Sequence, residues 1–121
     1  MDIKAIILVF IGGGLGSSLR YIISAVYKSS EFPLGTLLVN SLGCLAFGVC
    51  VGLLQRHALL REEMSVFLLV GFCGGLTTFS SFAFDLFELS KSSDIVSPLL
   101  YFGGSIVLGI LALLIGMSFF K

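Results

Sequence analysis

The chain has 121 residues, 57% of them hydrophobic and 12% charged, with mean hydropathy +1.13. A soluble domain of this length needs a far more polar surface, so the composition describes an integral membrane protein. Seven basic and seven acidic residues cancel, which leaves no basic tract to attract nucleic acid.

Four apolar blocks follow one another, over 3–26, 34–54, 65–89 and 95–120. Each suits one crossing at roughly 20 residues, giving a single domain of transmembrane helices. The opening "MDIKAIILVFIGGGLG" superficially resembles a signal peptide. Its apolar run continues to Val26 with no clear small-residue cleavage site, so it reads as the first helix. The connectors "YKSSEFP", "QRHALLREE" and "SKSSD" are short and polar, so sequential helices pack as antiparallel neighbours. Four crossings put both termini on one side, with Lys4, Arg56, Arg61 and Lys121; the other side has Lys28, Lys91 and, if it reaches out, Arg20. Such a bias specifies orientation weakly. One fixed orientation and insertion both ways round, which permits an antiparallel dimer, both remain open.

In the first block Arg20 is the one intramembrane cation. It can snorkel outward, pair with an acid such as Asp85 or Glu88, or end at a vestibule floor. In the second, Asn40 sits mid-span with Thr36 one turn earlier on the same face. An amide in hydrocarbon is costly, so Asn40 either glues helices together or lines a pore.

The third block carries "GFCGGLTTFSSF" over 71–82. Gly74 and Gly75 are poor helix formers, and Thr77 and Thr78 are β-branched with hydroxyls that bond backbone. The expectation is a break in this helix, tolerated only where it is buried in protein or faces water. Carbonyls freed at such a break suit a hard cation such as sodium. Against it stands an unbroken helix with a close-contact glycine patch. Phe79 and Phe82 share a face. They are either packing or a ring-edge lining for a small anion, since an aromatic edge is positive. Ser80 and Ser81 are hydrogen-bond donors beside them. In the fourth block Tyr101 and Ser105 share a face that Gly109 continues.

Small residues recur four apart at Gly12/Gly16, Gly48/Gly52, Gly71/Gly75, Ser105/Gly109 and Ala112/Gly116, the pattern of closely packed membrane helices. Cys44, Cys50 and Cys73 fall in apolar blocks and form no CxxC pair, so they read as small buried hydrophobes. His57 stands alone in a charged loop. No His/Cys/carboxylate cluster, nucleophile elbow or phosphate loop appears, and an enzyme is not expected.

The glycines, the Arg20-Tyr21 pair, "GTLLVN" and "GFCGGLTTFSSF" together resemble the CrcB/Fluc family of fluoride channels, along the whole chain and in order. The resemblance implies an antiparallel, dual-topology homodimer in the cell inner membrane. It would export fluoride passively through two pores and so confer fluoride resistance. It implies a structural sodium at the dimer centre, held by the backbone carbonyls of Gly74 and Thr77 from both subunits. It also implies Phe79 and Phe82 as the fluoride-lining rings and Asn40, with Thr36 near it, at the end of a vestibule. Tyr101 and Ser105 then form a polar track, Ser80 and Ser81 are pore hydroxyls, and Arg20 is a vestibule arginine. Two departures stand out: Ser81 where the family often has threonine, and Gly109 where a second serine can occur. A proton-coupled small multidrug exporter also fits four helices and an antiparallel dimer. It needs an acid embedded in the first helix, and none lies between Asp2 and Glu31. A scaffold subunit without transport is the third possibility.

Overall fold

In the computed structural model, residues 1–28, 31–57 and 61–121 are described, with the backbone alone at Arg61. The chain is helical: α1 (Ile3–Val26), α2 (Leu34–Arg56), α3 (Arg61–Ser65), a π-helical stretch (Val66–Cys73), α4 (Gly74–Leu76), α5 (Phe79–Ser90) and α6 (Val96–Ser118). The run from α3 to α5 is a single bent crossing, so four stretches are long and apolar enough to span a membrane. The positions 29–30 and 58–60, in the first two polar connectors, lie outside the described residues.

Capping residues set several helix starts. Asp2 accepts the Lys4 N–H at the start of α1. Asp94 accepts the Val96 N–H and the Ser97 hydroxyl at the start of α6. Those bonds hold the exposed Asp94 carboxyl below the usual carboxylate range, the Ser97 hydroxyl contributing most. Lys4 on α1 pairs with Glu63 on α3 across the surface.

Glycine decides which helices touch. Gly12 and Gly16 of α1 lie against the third crossing so closely that a Cβ would stand 2.4 Å from the Phe67 carbonyl oxygen and 2.1 Å from that of Phe72. Gly75 reciprocates, 2.4 Å from the Gly13 oxygen. A second seam joins α2 to α6, where a Cβ on Gly48 would meet the Leu113 oxygen at 2.2 Å and one on Gly116 the Leu45 oxygen at 2.4 Å. Helices in lipid gain their association from such close backbone approach rather than from hydrophobic transfer. The glycines of Gly12/Gly16, Gly48/Gly52 and Gly71/Gly75, and Gly116, therefore face these seams, whereas Gly109 meets α2 loosely, at the Cys44 sulfur at 3.5 Å.

The third crossing departs from a regular helix twice. Over Val66–Cys73 the repeat widens, and the Gly74 N–H reaches the Leu69 carbonyl five residues back. Then Thr77 (ψ 155°) and Thr78 (φ −150°, ψ 117°) run extended before α5 begins. The break falls at the threonines. Within the expected 74–78 stretch, Gly74 and Gly75 are helical, and Gly75 serves close packing.

Because the seam at Gly116 leaves no room for a side chain, Gly116→Val should destabilise the detergent-solubilised protein by at least about 1–3 kcal/mol, the usual cost of overpacking. Gly109→Ala should leave the unfolding midpoint unchanged. Equal midpoints for the two variants would show that the α2–α6 seam is not formed.

Candidate functional site

The break at Thr77–Thr78 is the centre of the site. Asn40 faces it from α2 and binds it twice: its side-chain oxygen accepts the Thr78 N–H at 2.7 Å, and its amide nitrogen donates to the Thr78 carbonyl at 3.1 Å. Three residues on along α2, Gly43 makes room for Thr77, since a Cβ there would stand 2.2 Å from the Thr77 methyl carbon. Thr77 folds back, its N–H and hydroxyl both donating to the Cys73 carbonyl at 3.0 and 2.9 Å. Thr78 caps α5, its hydroxyl oxygen accepting the Ser81 N–H at 3.2 Å.

These captures have a consequence for two carbonyls. In a continuous helix the Thr78 N–H would close on Gly74 and the Ser81 N–H on Thr77. Asn40 takes the first and the Thr78 hydroxyl takes the second. The carbonyls of Gly74 and Thr77 thus lose their helical partners at one place. They are neutral hard-oxygen donors, chemically suited to an alkali cation.

Two cavities of about 630 Å³ each flank Tyr101, and the inner one adjoins the break. The inner one is lined by Asn40, Gly74, Thr77, Phe79, Phe82 and Ser105, together with Cys44, Cys73, Phe102 and apolar neighbours. The outer one lies at the connector end of the bundle, with Lys28, Glu31, Thr36, Asp85 and Glu88 in its wall. Tyr101 joins them and is fully buried. Its hydroxyl donates at 3.1 Å to Asp85, an outer-cavity residue. Its ring lies 5.2 Å from that of Phe82 and edge-on to Phe32 at 5.6 Å. Phe82 also neighbours Phe79 at 5.9 Å and Phe102 at 6.3 Å.

Most residues singled out in the sequence therefore gather around these cavities, but not all in the expected manner. Asn40 is committed to the Thr78 backbone through its oxygen and one amide hydrogen, leaving one donor free. The Ser80 and Ser81 hydroxyls lie 3.2 Å from that of Thr78, at the head of α5, and line neither cavity. Ser105 on α6 has a buried hydroxyl oxygen without a hydrogen-bond partner. Arg20 lines neither cavity, and its buried Nε has no partner. Neither acid considered for it pairs with it: Asp85 bonds Tyr101, and Glu88 pairs with Lys91 at 2.6 Å.

Sequence reasoning missed three participants. Asp85 was legible only as an acid near the end of the third block; its link to Tyr101 is a contact between α5 and α6. Phe102 had no signal among twelve phenylalanines beyond its place next to Tyr101. Thr78 was seen as part of a break, yet a threonine heading "TFSS" also fits an N-cap. Replacing Asn40 with leucine leaves both polar backbone groups of Thr78 unsatisfied, at about 1–3 kcal/mol for each buried group. Asn40→Leu should lower the unfolding midpoint more than Asn40→Asp, which keeps the acceptor for the N–H. Equal midpoints for wild type and Asn40→Leu would remove the clamp.

The CrcB-like protein, Camphor Resistance (CrcB), family model matches residues 7–117. Among relatives, a protein of Azobacteroides pseudotrichonymphae is 43% identical over 94% of both chains. One of Phocaeicola vulgatus is 41% identical over 94% of this chain and 96% of its own. One of Pyrococcus horikoshii is 47% identical over 78% of both. All three bear the name fluoride-specific ion channel FluC, a name for a channel and not for an enzyme. A model match across nearly the whole chain, on a four-crossing fold with this polar break, makes the chain a member of the CrcB family.

Proposed function

We propose that this protein is a fluoride-selective channel of the cell inner membrane that lets the anion leave the cytoplasm passively. The unpartnered hydroxyl of Ser105 carries the reading. A buried donor without a partner is costly, and this one stands in the wall of a cavity shared with Asn40, Phe79 and Phe82. The full-length relatives named as fluoride channels support the choice of ion.

Fluoride is small and tightly hydrated, so its path must replace water with several neutral donors. Ser105, the free amide hydrogen of Asn40 and positive ring edges at Phe79 and Phe82 supply such partners. Lysine or arginine at each step would hold the ion too strongly to release it. The outer cavity holds three carboxylates, which would repel an anion. Glu88 is paired with Lys91, Asp85 accepts the Tyr101 hydroxyl, and Lys28 shares the wall with Glu31.

The functional unit in this reading is an antiparallel homodimer with two pores. Phe79 lines the inner cavity and yet is 80% exposed in one chain, so a second copy completes the wall. The weak charge bias between the two faces suits insertion both ways. Opposed breaks then bring the freed carbonyls of Gly74 and Thr77 from both copies together. They would hold a sodium ion, whose positive charge, when bound, offsets the field of the passing anion.

Purified protein in liposomes, followed with a fluoride electrode, should release fluoride far faster than a chloride electrode reports chloride. Equal rates for the two anions would contradict selectivity, and no flux above empty liposomes would leave a scaffold role. Ser105→Ala should slow fluoride release roughly 10-fold, the equivalent of about 1.4 kcal/mol, with Ser105→Thr close to wild type. An unchanged rate in Ser105→Ala would take that hydroxyl out of the path.

A further inference from the structure

The connector between the third and fourth crossings heads a groove of about 320 Å³ between the end of α5 and the start of α6. Leu86, Ile95, Leu99 and Phe102 floor it. The last three fall three or four residues apart, on one face of α6 that runs inward from the membrane surface, and all three are exposed. Phe102 also lines the inner cavity. The rim of the groove is polar, made of Ser90, Ser92 and Asp94. The hydrogens on these side chains are already committed. The Ser90 hydroxyl donates to the Phe87 carbonyl at 2.7 Å and that of Ser92 to the Leu89 carbonyl at 3.0 Å. The Asp94 carboxylate accepts the Ser97 hydroxyl and the Val96 N–H, which keep it ionised at neutral pH. The rim side chains therefore present lone pairs and a negative charge but no donor. Among the described residues the ion pairs are Lys4 with Glu63 and Lys91 with Glu88, so no cation offsets Asp94.

We propose that this groove binds one bilayer lipid whose headgroup ends in a primary ammonium, with the ammonium on the Ser90, Ser92 and Asp94 rim and an acyl chain along α6 toward Phe102. Charge complementarity chooses the headgroup. A primary ammonium brings three N–H donors and a positive charge to a rim that only accepts, and its bond to a carboxylate is roughly twice as strong as a neutral one. A choline headgroup carries the same charges without an N–H to give. A glycerol headgroup leaves its phosphate charge uncompensated beside Asp94, where like charges repel. The depth of the groove chooses a lipid over a soluble amine. Its rim lies on a connector at headgroup level, and its floor belongs to a helix that enters the hydrocarbon. A chain seated there rests on Phe102, whose ring stacks with that of Phe82 at 6.3 Å. The lipid thereby backs one wall of the inner cavity.

The test is native mass spectrometry of the purified full chain in detergent, titrated in turn with dioleoylphosphatidylethanolamine, dioleoylphosphatidylcholine and dioleoylphosphatidylglycerol. The site predicts one ethanolamine lipid per chain, held about tenfold more tightly than either of the others, the scale of one charge-assisted hydrogen bond. Asp94→Asn removes the charge but keeps an acceptor for the Val96 N–H, so α6 still starts where it does. Ile95→Lys, at an exposed position, sets an ammonium of the chain's own beside the rim. Both variants should keep the wild-type unfolding midpoint and bind the three lipids about equally. Equal affinities in the wild type, or a preference for the glycerol lipid, would overturn the proposal. So would an undiminished ethanolamine preference in Asp94→Asn, or no retained lipid at all, which would leave the groove to a second copy of the chain. These readouts register no ion flux, so they stand apart from the test of fluoride conduction.

Discussion

The two hydrogen bonds between Asn40 and the backbone of Thr78 are the constraint on which the rest depends. Without them an extended dipeptide inside a membrane crossing would expose a bare N–H and C=O where no water is at hand. With them the interruption is satisfied and the Gly74 carbonyl is set free, while the Thr78 hydroxyl, by taking the Ser81 N–H, frees that of Thr77. A side chain on one helix thus determines which backbone oxygens on another are available. The asparagine is more than a polar residue near a path: it is what allows the path to have a broken helix at all.

Packing serves this arrangement. The α1 glycines let the first half of the third crossing lie against backbone, and glycines on α2 and α6 let those two helices approach each other as closely. The third crossing is thereby held before its break, and α2 presents Asn40 and Gly43 to the break itself. Tyr101, buried between an acid-lined cavity and an aromatic one, ties α6 to α5 through Asp85. The Ser105 hydroxyl, in the wall of the inner cavity, stays outside this network and is left available to something that enters.

Much of this was legible in the residues. Apolar block length specified the crossings, and paired small residues specified close seams, because both depend on local pattern. The break was legible from glycine and threonine chemistry, but not which of residues 74–78 leave the helix. Gly74 and Gly75 permit a bend, yet Asn40 and the Thr78 hydroxyl decide where the helical bonds are lost, and those are tertiary effects. The π-helical repeat at Val66–Cys73 left no trace in composition. Asp85 was one of two candidate partners for Arg20 and meets Tyr101, since helix rotation, not sequence distance, sets which groups face each other. Phe79 and Phe82 were placed correctly on one side of a helix, but only the fold shows Phe102 joining them.

The central claim is that the third crossing is interrupted at Thr77–Thr78 so that the Gly74 and Thr77 carbonyls lack helical partners. Isotope-edited infrared spectroscopy, with the label in either carbonyl of the reconstituted protein, tests it most directly. The account predicts labelled bands outside the helical position that move when sodium is exchanged for a large organic cation. Bands at the helical position for both carbonyls, indifferent to the cation, would contradict it.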